Sequence, residues 1–408
     1  MDQSTNALPR TASQSVKIDC EKDLQGKVRI LEARIPNDYR PDLTDTDYRP
    51  EGLDDSFYHK LGEGSTGIAV AAVRKVKGVF GDIQREKVVL KKYNITSFLA
   101  NQVKDGYTSM LREFQNLQYL MHDNIAEMKD SFWSLDEKGN LNQVWIVTER
   151  MDFKLSDFFR HKAKNDHTAT PHRRDHRHLG SILVQILRAL DYLHQRGIMH
   201  RDVKPDNIGI SKQCHLKLFD FGVARPTNTV KELTQLVSTP RYHPLEVQLL
   251  EPYDWGVDIW ATGLVALEFL NHPFYPASVS STDKIKQRIL DVFGVPGDKY
   301  KEFFKYKLMN EVQRDGCFNA FLTTAFKRLA PGFRDFNEDN LRDLLSQMLC
   351  INPRRPLASV LLDHNYLRAV NSDMTRKHVQ IPAHEHHAKN QRDKETLLKM
   401  LKNFSRQL

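Results

Sequence analysis

Cysteine is scarce in this chain, and long apolar runs are missing. The four cysteines, Cys20, Cys214, Cys317 and Cys350, are scattered and form no C-x-x-C pair. Neither a disulfide framework nor a zinc site is supported, and isolated thiols in a reducing compartment are expected. No apolar stretch approaches the roughly 20 residues that cross a bilayer. Met1 to Asp19 is polar and has no hydrophobic leader segment, so no secretory signal is expected. The reading is an intracellular soluble protein, nuclear and/or cytoplasmic, with no membrane partner. The formal net charge of +8 is modest for 408 residues. Without clustered basic and aromatic residues in a recognised nucleic-acid fold, no direct nucleic-acid binding is expected.

The histidines do not compose a metal site either. His161, His167, His172, His176 and His178 crowd one stretch that reads as an exposed loop. His384-Glu385-His386-His387 lacks the H-E-x-x-H helical spacing. Solvated polar segments account for both, and the basic tail from Met374 reads the same way.

What is present begins after a polar segment, residues 1–50, that shows no sustained periodicity and is expected to be partly flexible. From Phe57, β-like runs appear at Ile68–Val73, Lys87–Lys92 and Gln143–Thr148. Between the last two, Thr108 to Met121 reads as an amphipathic helix through Leu111, Phe114, Leu117 and Leu120. After Leu155 the pattern turns helical. Ile182, Leu183, Ile186, Leu187, Leu190 and Leu193 trace one face, and further helices are expected at Asp258–Leu270, Lys284–Phe293 and Leu341–Leu349. Leu397, Leu398, Leu401 and Phe404 suggest a last amphipathic helix in the tail, residues 371–408.

Four motifs carry chemistry. Gly62-Glu63-Gly64-Ser65-Thr66-Gly67 lets backbone amides approach phosphate, because glycine removes the side chain. β-like residues follow it rather than a helix, which favours a glycine-rich hairpin over a Rossmann turn. Val88-Val89-Leu90-Lys91 ends an apolar strand in a lysine that needs a carboxylate partner, and Glu113 on the next helix is available. His200-Arg201-Asp202-Val203-Lys204-Pro205-Asp206-Asn207 and Asp220-Phe221-Gly222 together supply two carboxylates and an amide. Phosphoryl transfer needs such groups, as a base-like carboxylate for the attacking hydroxyl and oxygen ligands for magnesium.

In this order the motifs resemble those of eukaryotic protein kinases, over about Phe57 to Leu367. The resemblance implies an α+β, bilobal protein-kinase fold. A small β-rich N-lobe with one regulatory helix (about 51–150) would precede a larger, mainly helical C-lobe (about 151–370), with ATP between. It implies that Lys91 holds the α/β-phosphates and pairs with Glu113. Asp202 would accept the proton of the substrate hydroxyl. Lys204 would touch the γ-phosphate and favour Ser/Thr substrates. Asn207 and Asp220 would hold Mg2+ or Mn2+. Gly62, Glu63, Gly64, Gly67 and Val70 join the ATP-binding set. Thr148 falls at the gatekeeper position, and Glu149 and Met151 would offer backbone groups to adenine. Asp258 resembles the buried aspartate that braces the catalytic loop.

Arg112-Glu113 with Leu117, Leu120, His122, Asn124 and Ile125 is similar to the CMGC group, which includes cyclin-dependent and mitogen-activated kinases. So are Phe274-Tyr275-Pro276 with Ile285, Ile289, Phe293, Gly294 and Pro296, and Leu344–Leu349 with Asn352-Pro353. Thr234 then falls where that group carries its activating phosphothreonine, with Arg112, Arg201 and Arg225 as receivers and Thr239 contacting the catalytic loop. Partners implied are ATP, protein substrates, and either a cyclin-like subunit or an upstream activating kinase. Several positions depart from the pattern, so the chain reads as a divergent member. Ala69 replaces the valine after the third loop glycine. Pro244-Leu245-Glu246 replaces A-P-E. Pro356 stands where the arginine partner of Glu246 is expected, leaving Arg354 or Arg355 to substitute. His243 replaces an arginine associated with proline-directed specificity. The rival to an active kinase is a kinase-fold scaffold, and the presence of Lys91, Glu113, Asp202, Asn207 and Asp220 counts against it.

Overall fold

The computed structural model describes residues 20–22, 28–30, 48–50, 60–64, 67–77, 82–95, 104–135, 141–164, 176–227, 239–276, 279, 281–294, 316–327, 329, 337–368 and 370–371. They fall into two compact units. Unit 1 takes the described residues up to Leu120 and those of Ala126–Arg150; unit 2 takes Met121–Ile125 and those from Met151 onward. No helix among the described residues is long and apolar enough to cross a membrane.

Unit 1 is built on an antiparallel sheet. Its strands are β3 (Tyr48–Pro50), β4 (Lys60–Gly64), β5 (Gly67–Lys77), β6 (Ile83–Asn94), β7 (Met128–Leu135) and β8 (Leu141–Glu149). Their order is β3-β5-β6-β8-β7, with β4 also paired to β5. A separate hairpin joins β1 (Cys20–Lys22) to β2 (Val28–Ile30). In β6, Val88 and Leu90 are fully buried while Lys87, Val89 and Lys91 are less so, the alternation a one-sided sheet requires. The sheet reaches back to Tyr48, three residues before the boundary drawn from composition, because β3 pairs with Arg74, Val73 and Ala72. β7 escapes the hydrophobic pattern because Asp130 and Ser131 sit buried in its middle. Asp130 is satisfied there by the Ser131 amide and by Arg74.

Helix α1 spans Lys104–Leu117. It starts earlier and stops earlier than the pattern suggests, and its buried face is Tyr107, Met110, Phe114 and Leu117 rather than one through Leu111. Leu120 is buried beyond the helix, in the turn that follows. Apolar periodicity continued past the point where the chain leaves the helix.

Unit 2 is mainly helical: α2 (Leu155–Lys164), α3 (His176–Gln195), α4 (Leu245–Gln248), α5 (Gly256–Phe269), α6 (Thr282–Phe293), α7 (Phe318–Phe326), α8 (Glu338–Met348) and α9 (Ala358–Leu362). The histidine-rich stretch is therefore not one loop. His161 continues α2, His176 and His178 open α3, and residues 165–175 with His167 and His172 lie outside the described residues. Helix α5 is buried on nearly all sides, as a helix apolar all round must be. Short strands β9 (Phe153–Lys154), β11 (Ile208–Ile210) and β12 (Leu216–Leu218) form one small sheet. Strand β10 (Ile198–Met199) pairs with β13 (Arg225–Pro226). The tail, with its expected helix and His384–His387, also lies outside the described residues.

Candidate active site

In unit 1, Gly62, Glu63 and Gly64 pair with Ala69, Ile68 and Gly67. The glycine-rich segment is thus a hairpin, as expected; Ser65 and Thr66 at its tip lie outside the described residues. Gly67 has a second reason to be glycine: a Cβ there would lie 2.2 Å from the Lys92 carbonyl oxygen. The next strand turns Lys91 toward α1, and its Nζ donates to Glu113 Oε2 at 2.6 Å. The two positions are 22 residues apart in sequence. The lysine side chain is 23% exposed and the glutamate 5%, so this is no surface pairing. The Tyr93 hydroxyl donates to the same oxygen. Burial and the Glu113 charge both hold the Tyr93 pKa well above its ordinary value, against the pull of Lys91. Tyr93 therefore stays protonated and remains a donor.

Register decides which neighbours share the lysine's face. Ala69 pairs with Lys91 and Val70 with Leu90. Paired residues project to the same side and successive ones to opposite sides. Val70 is therefore buried on the opposite face, and Ala69, not Val70, lies beside Lys91. Thr148 pairs with Val89 and shares the lysine's face. The Glu149 carboxylate accepts from the Glu127 amide at 2.8 Å.

In unit 2, the octet wraps around one buried carboxylate. Asp258, 1% exposed, accepts the His200 amide at 2.9 Å and the Arg201 amide at 2.7 Å. His194 Nε2 also meets it, at 2.9 Å. Burial alone would raise the Asp258 pKa, but the hydrogen bond and charge of His194 and the nearby His200 and Arg201 groups leave it below its ordinary value. It is anionic, and it holds Arg201 at φ 69, a conformation costly for a non-glycine residue without such support.

The next residues point back to Asp202. Its Oδ2 accepts Lys204 Nζ at 2.6 Å and Asn207 Nδ2 at 2.7 Å. Lys204 also donates to Thr239 Oγ1 at 2.7 Å. His200 is buried, and desolvation lowers its pKa, so the ring is neutral. Its Nδ1 accepts the Asp202 amide at 3.3 Å and its Nε2 meets the Phe219 carbonyl at 3.2 Å. Its ring stands edge-on to Phe221, centroids 4.9 Å apart. One neutral imidazole thus links the Asp202 loop to the Asp220-Phe221-Gly222 turn.

Comparison with known families matches residues 56–367 to the protein kinase domain. The chain belongs to the protein kinase family. Its curated relatives place this kinase in the CMGC group. It is 32% identical over 320 residues to mitogen-activated protein kinase pmk-1 of Caenorhabditis elegans, covering 77% of this chain and 76% of that one. It is 29% identical over 320 residues to stress-activated protein kinase JNK of Drosophila melanogaster, covering 75% and 78%. A third relative, mitogen-activated protein kinase pmk-2 of Caenorhabditis elegans, is 30% identical over 332 residues, covering 76% and 71%.

Protein kinases use ATP and a divalent metal, and the kinase's own donors fit such an ion. The Asn207 amide nitrogen donates to Asp202, at 3.0 Å to its carbonyl and 2.7 Å to its carboxylate, and the Asn207 amide oxygen is the acceptor that could meet a cation. Asp220 adds a part-exposed carboxylate. No group of three or more His, Cys, Asp or Glu is arranged to hold a metal ion among the described residues. Magnesium held by one or two protein oxygens plus phosphates does not require one.

Two departures from the family pattern resolve in the kinase's C-terminal half. Arg355, not Arg354, replaces the missing arginine. Its Nη1 and Nη2 reach Glu246 Oε1 and Oε2 at 2.6 and 3.3 Å, and Nη2 also bonds the Cys350 carbonyl at 2.9 Å. His243 is buried, and burial, then Arg201 and Lys204, push its pKa down to about 3. It is neutral and cannot act as the absent arginine.

Of the regulatory set, Thr234 lies outside the described residues. Arg112 sits part-buried on α1 in unit 1. In unit 2, Arg225 pairs across strands with Met199, two residues before Arg201, and its Nε is buried without a hydrogen-bond partner. Sequence reasoning missed Tyr93 and His194. Tyr93 lies two residues beyond Lys91, on the same face, and that alternation was a usable signal. His194 had none, since its partner Asp258 is 64 residues away.

Proposed function

We propose that this kinase transfers the γ-phosphoryl group of ATP to serine and threonine hydroxyls of proteins. The observation that supports this reading best is the shared network of Asp202, Lys204, Asn207 and Thr239. Lys204 neutralises one Asp202 oxygen and is itself tied to Thr239. The other carboxylate oxygen lies only 3.5 Å from the Thr239 amide and is the one available to a substrate hydroxyl. Asp202 orients that hydroxyl and takes its proton as the hydroxyl oxygen bonds to the γ-phosphorus and the bond from that phosphorus to the β–γ bridging oxygen breaks, with ADP leaving. Lys204 offsets charge on the transferring group, and Lys91, held by Glu113, positions the remaining phosphates. A divalent cation at Asn207 and Asp220 would supply further charge neutralisation of the phosphates.

Activation is assigned to phosphorylation of Thr234 by an upstream kinase. The relatives are named as mitogen- or stress-activated, which favours this over a cyclin-like subunit. A phosphate brings about −1.5 to −2 charges; Arg201 and Arg225 are its receivers in unit 2, and Arg112 is the third arginine of the set. The test is transfer of labelled phosphate from Mg-ATP to a general acceptor protein, followed by phosphoamino-acid analysis. Phosphoserine and phosphothreonine, abolished by Asp202→Ala and by Lys91→Met, are expected. A wild type that binds ATP yet stays inert after treatment with activating kinases would overturn the reading in favour of a kinase-fold scaffold.

A further inference from the structure

Helix α1 is tied to the strand before it by two donors that meet on one oxygen. Lys91 Nζ and the Tyr93 hydroxyl both donate to Glu113 Oε2. The two donors differ in depth. The Lys91 side chain is 23% exposed, while Tyr93 is fully buried. The lysine is thus the outer donor, within reach of solutes, and the tyrosine the inner one. The Tyr93 ring is also hemmed in. Lys91 Nζ stands 5.5 Å from its centroid, and a Cβ built on Gly67 would come 3.4 Å from its Cδ1. Tyr93 therefore lies between the end of the glycine-rich hairpin and the carboxylate that α1 presents. Burial and the Glu113 charge keep its phenol protonated, so the inner bond persists.

We propose that Tyr93 is a positioning residue: its hydroxyl holds the Glu113 carboxylate, and with it helix α1, in place whether Lys91 is bonded to Glu113 or turned toward phosphate. The part played by phosphate rests on the kinase reading above; the hold on α1 does not. A carboxylate as buried as Glu113 is costly to leave without hydrogen bonds. Were Lys91 alone on that oxygen, each turn toward another anion would weaken its hold and favour movement of the helix. The inner donor removes that penalty, so Lys91 can exchange one anionic partner for another while α1 stays where it is. Phenylalanine would fill the same space without the bond. The hydroxyl, not the ring, is therefore the part that acts.

The test is hydrogen exchange of α1 in the full chain, read by mass spectrometry, with Mg-ADP titration calorimetry beside it. Tyr93→Phe should speed exchange in α1 about threefold, the loss of one hydrogen bond, with little change in thermal midpoint. Lys91→Met should speed it about tenfold. Together they should speed it about a thousandfold, well past the product of the two, because the buried carboxylate has then lost both donors. In Glu113→Met, which has no carboxylate to hold, Tyr93→Phe should not speed exchange further. Mg-ADP should bind Tyr93→Phe about threefold more weakly, since Lys91 is less well placed. In the Lys91→Met background the same change should cost no further Mg-ADP affinity. If the double variant does not fold, the Glu113→Met comparison carries the decision. Unchanged α1 exchange in Tyr93→Phe, simple multiplication in the double variant, equal acceleration in Glu113→Met, or further loss of Mg-ADP in Lys91→Met would overturn the proposal. A wild type that does not bind Mg-ADP would instead remove the nucleotide reading beneath it, while α1 exchange would still decide the hold of Tyr93.

Discussion

The two units hold the residues proposed for catalysis by different means. In unit 1, Lys91 on a strand pairs with Glu113 on a single helix, and the Tyr93 hydroxyl donates to the same carboxylate oxygen. In unit 2, Asp202 and its loop are fixed from several directions. Asp258 holds the backbone of His200 and Arg201, Lys204 and Asn207 hold the Asp202 carboxylate, and His200 joins the loop to the Phe219 carbonyl. Loss of one bond in unit 2 leaves others in place, whereas movement of one helix breaks the pair in unit 1. The contrast teaches where control belongs: an ion pair carried between a strand and a movable helix is switchable, and an over-determined aspartate is built in advance.

The sharpest break in this comparison is Asp202→Ala. It should lower kcat by about a thousandfold or more, since a positioned group acting on the reacting hydroxyl is lost. The thermal midpoint should move little, because the backbone brace at Asp258 is untouched; steady-state kinetics and calorimetry read the two together. Next comes the stability contrast between the units' ion pairs. Arg355→Met strands Glu246, which is 1% exposed, and should cost about 3–5 kcal/mol in denaturant unfolding. Lys91→Met removes a part-exposed partner and leaves Glu113 its bond from Tyr93, so about 1–2 kcal/mol is expected. Equal costs would erase the distinction between a structural and a switchable pair.

Thr234→Ala should reduce activity about tenfold at unchanged stability, the loss of charge-assisted bonds to a phosphate. Phosphosite mapping of active and inactive protein checks it, and full activity in the variant removes the switch. The smallest effect is in pH. His243 and His122 are held neutral by burial, with pKa values down to about 3 and about 4. In the unfolded chain each takes up a proton as pH falls through about 6.5, while the folded protein does not. The unfolded state therefore gains protons and stability declines as pH drops below about 6.5. Thermal midpoints between neutral and mildly acidic pH should show that decline, and His243→Gln should flatten it.

Much of this was legible in the sequence because the chemistry is written in short, ordered motifs. The octet from His200 to Asn207 folds into one loop, so local spacing already puts Asp202, Lys204 and Asn207 within reach of each other. The glycine-rich hairpin was legible because strand residues follow the third glycine. The helix at Lys104–Leu117 was placed but misframed, since apolar periodicity outlasts the helix. Strand β7 was lost because a buried aspartate breaks the alternation that marks a strand.

The sequence by itself determined the chemical class, the identities of the paired lysine and glutamate, and the division into a β-rich and a helical part. These rest on residue type and short spacing, which need no knowledge of distant neighbours. Only the tertiary structure decided between Arg354 and Arg355, turned Val70 to the far face of the sheet, and brought His194 to Asp258 across 64 residues. Each depends on register or on contacts between segments far apart in the chain, where a shift of one residue reverses which side chains meet.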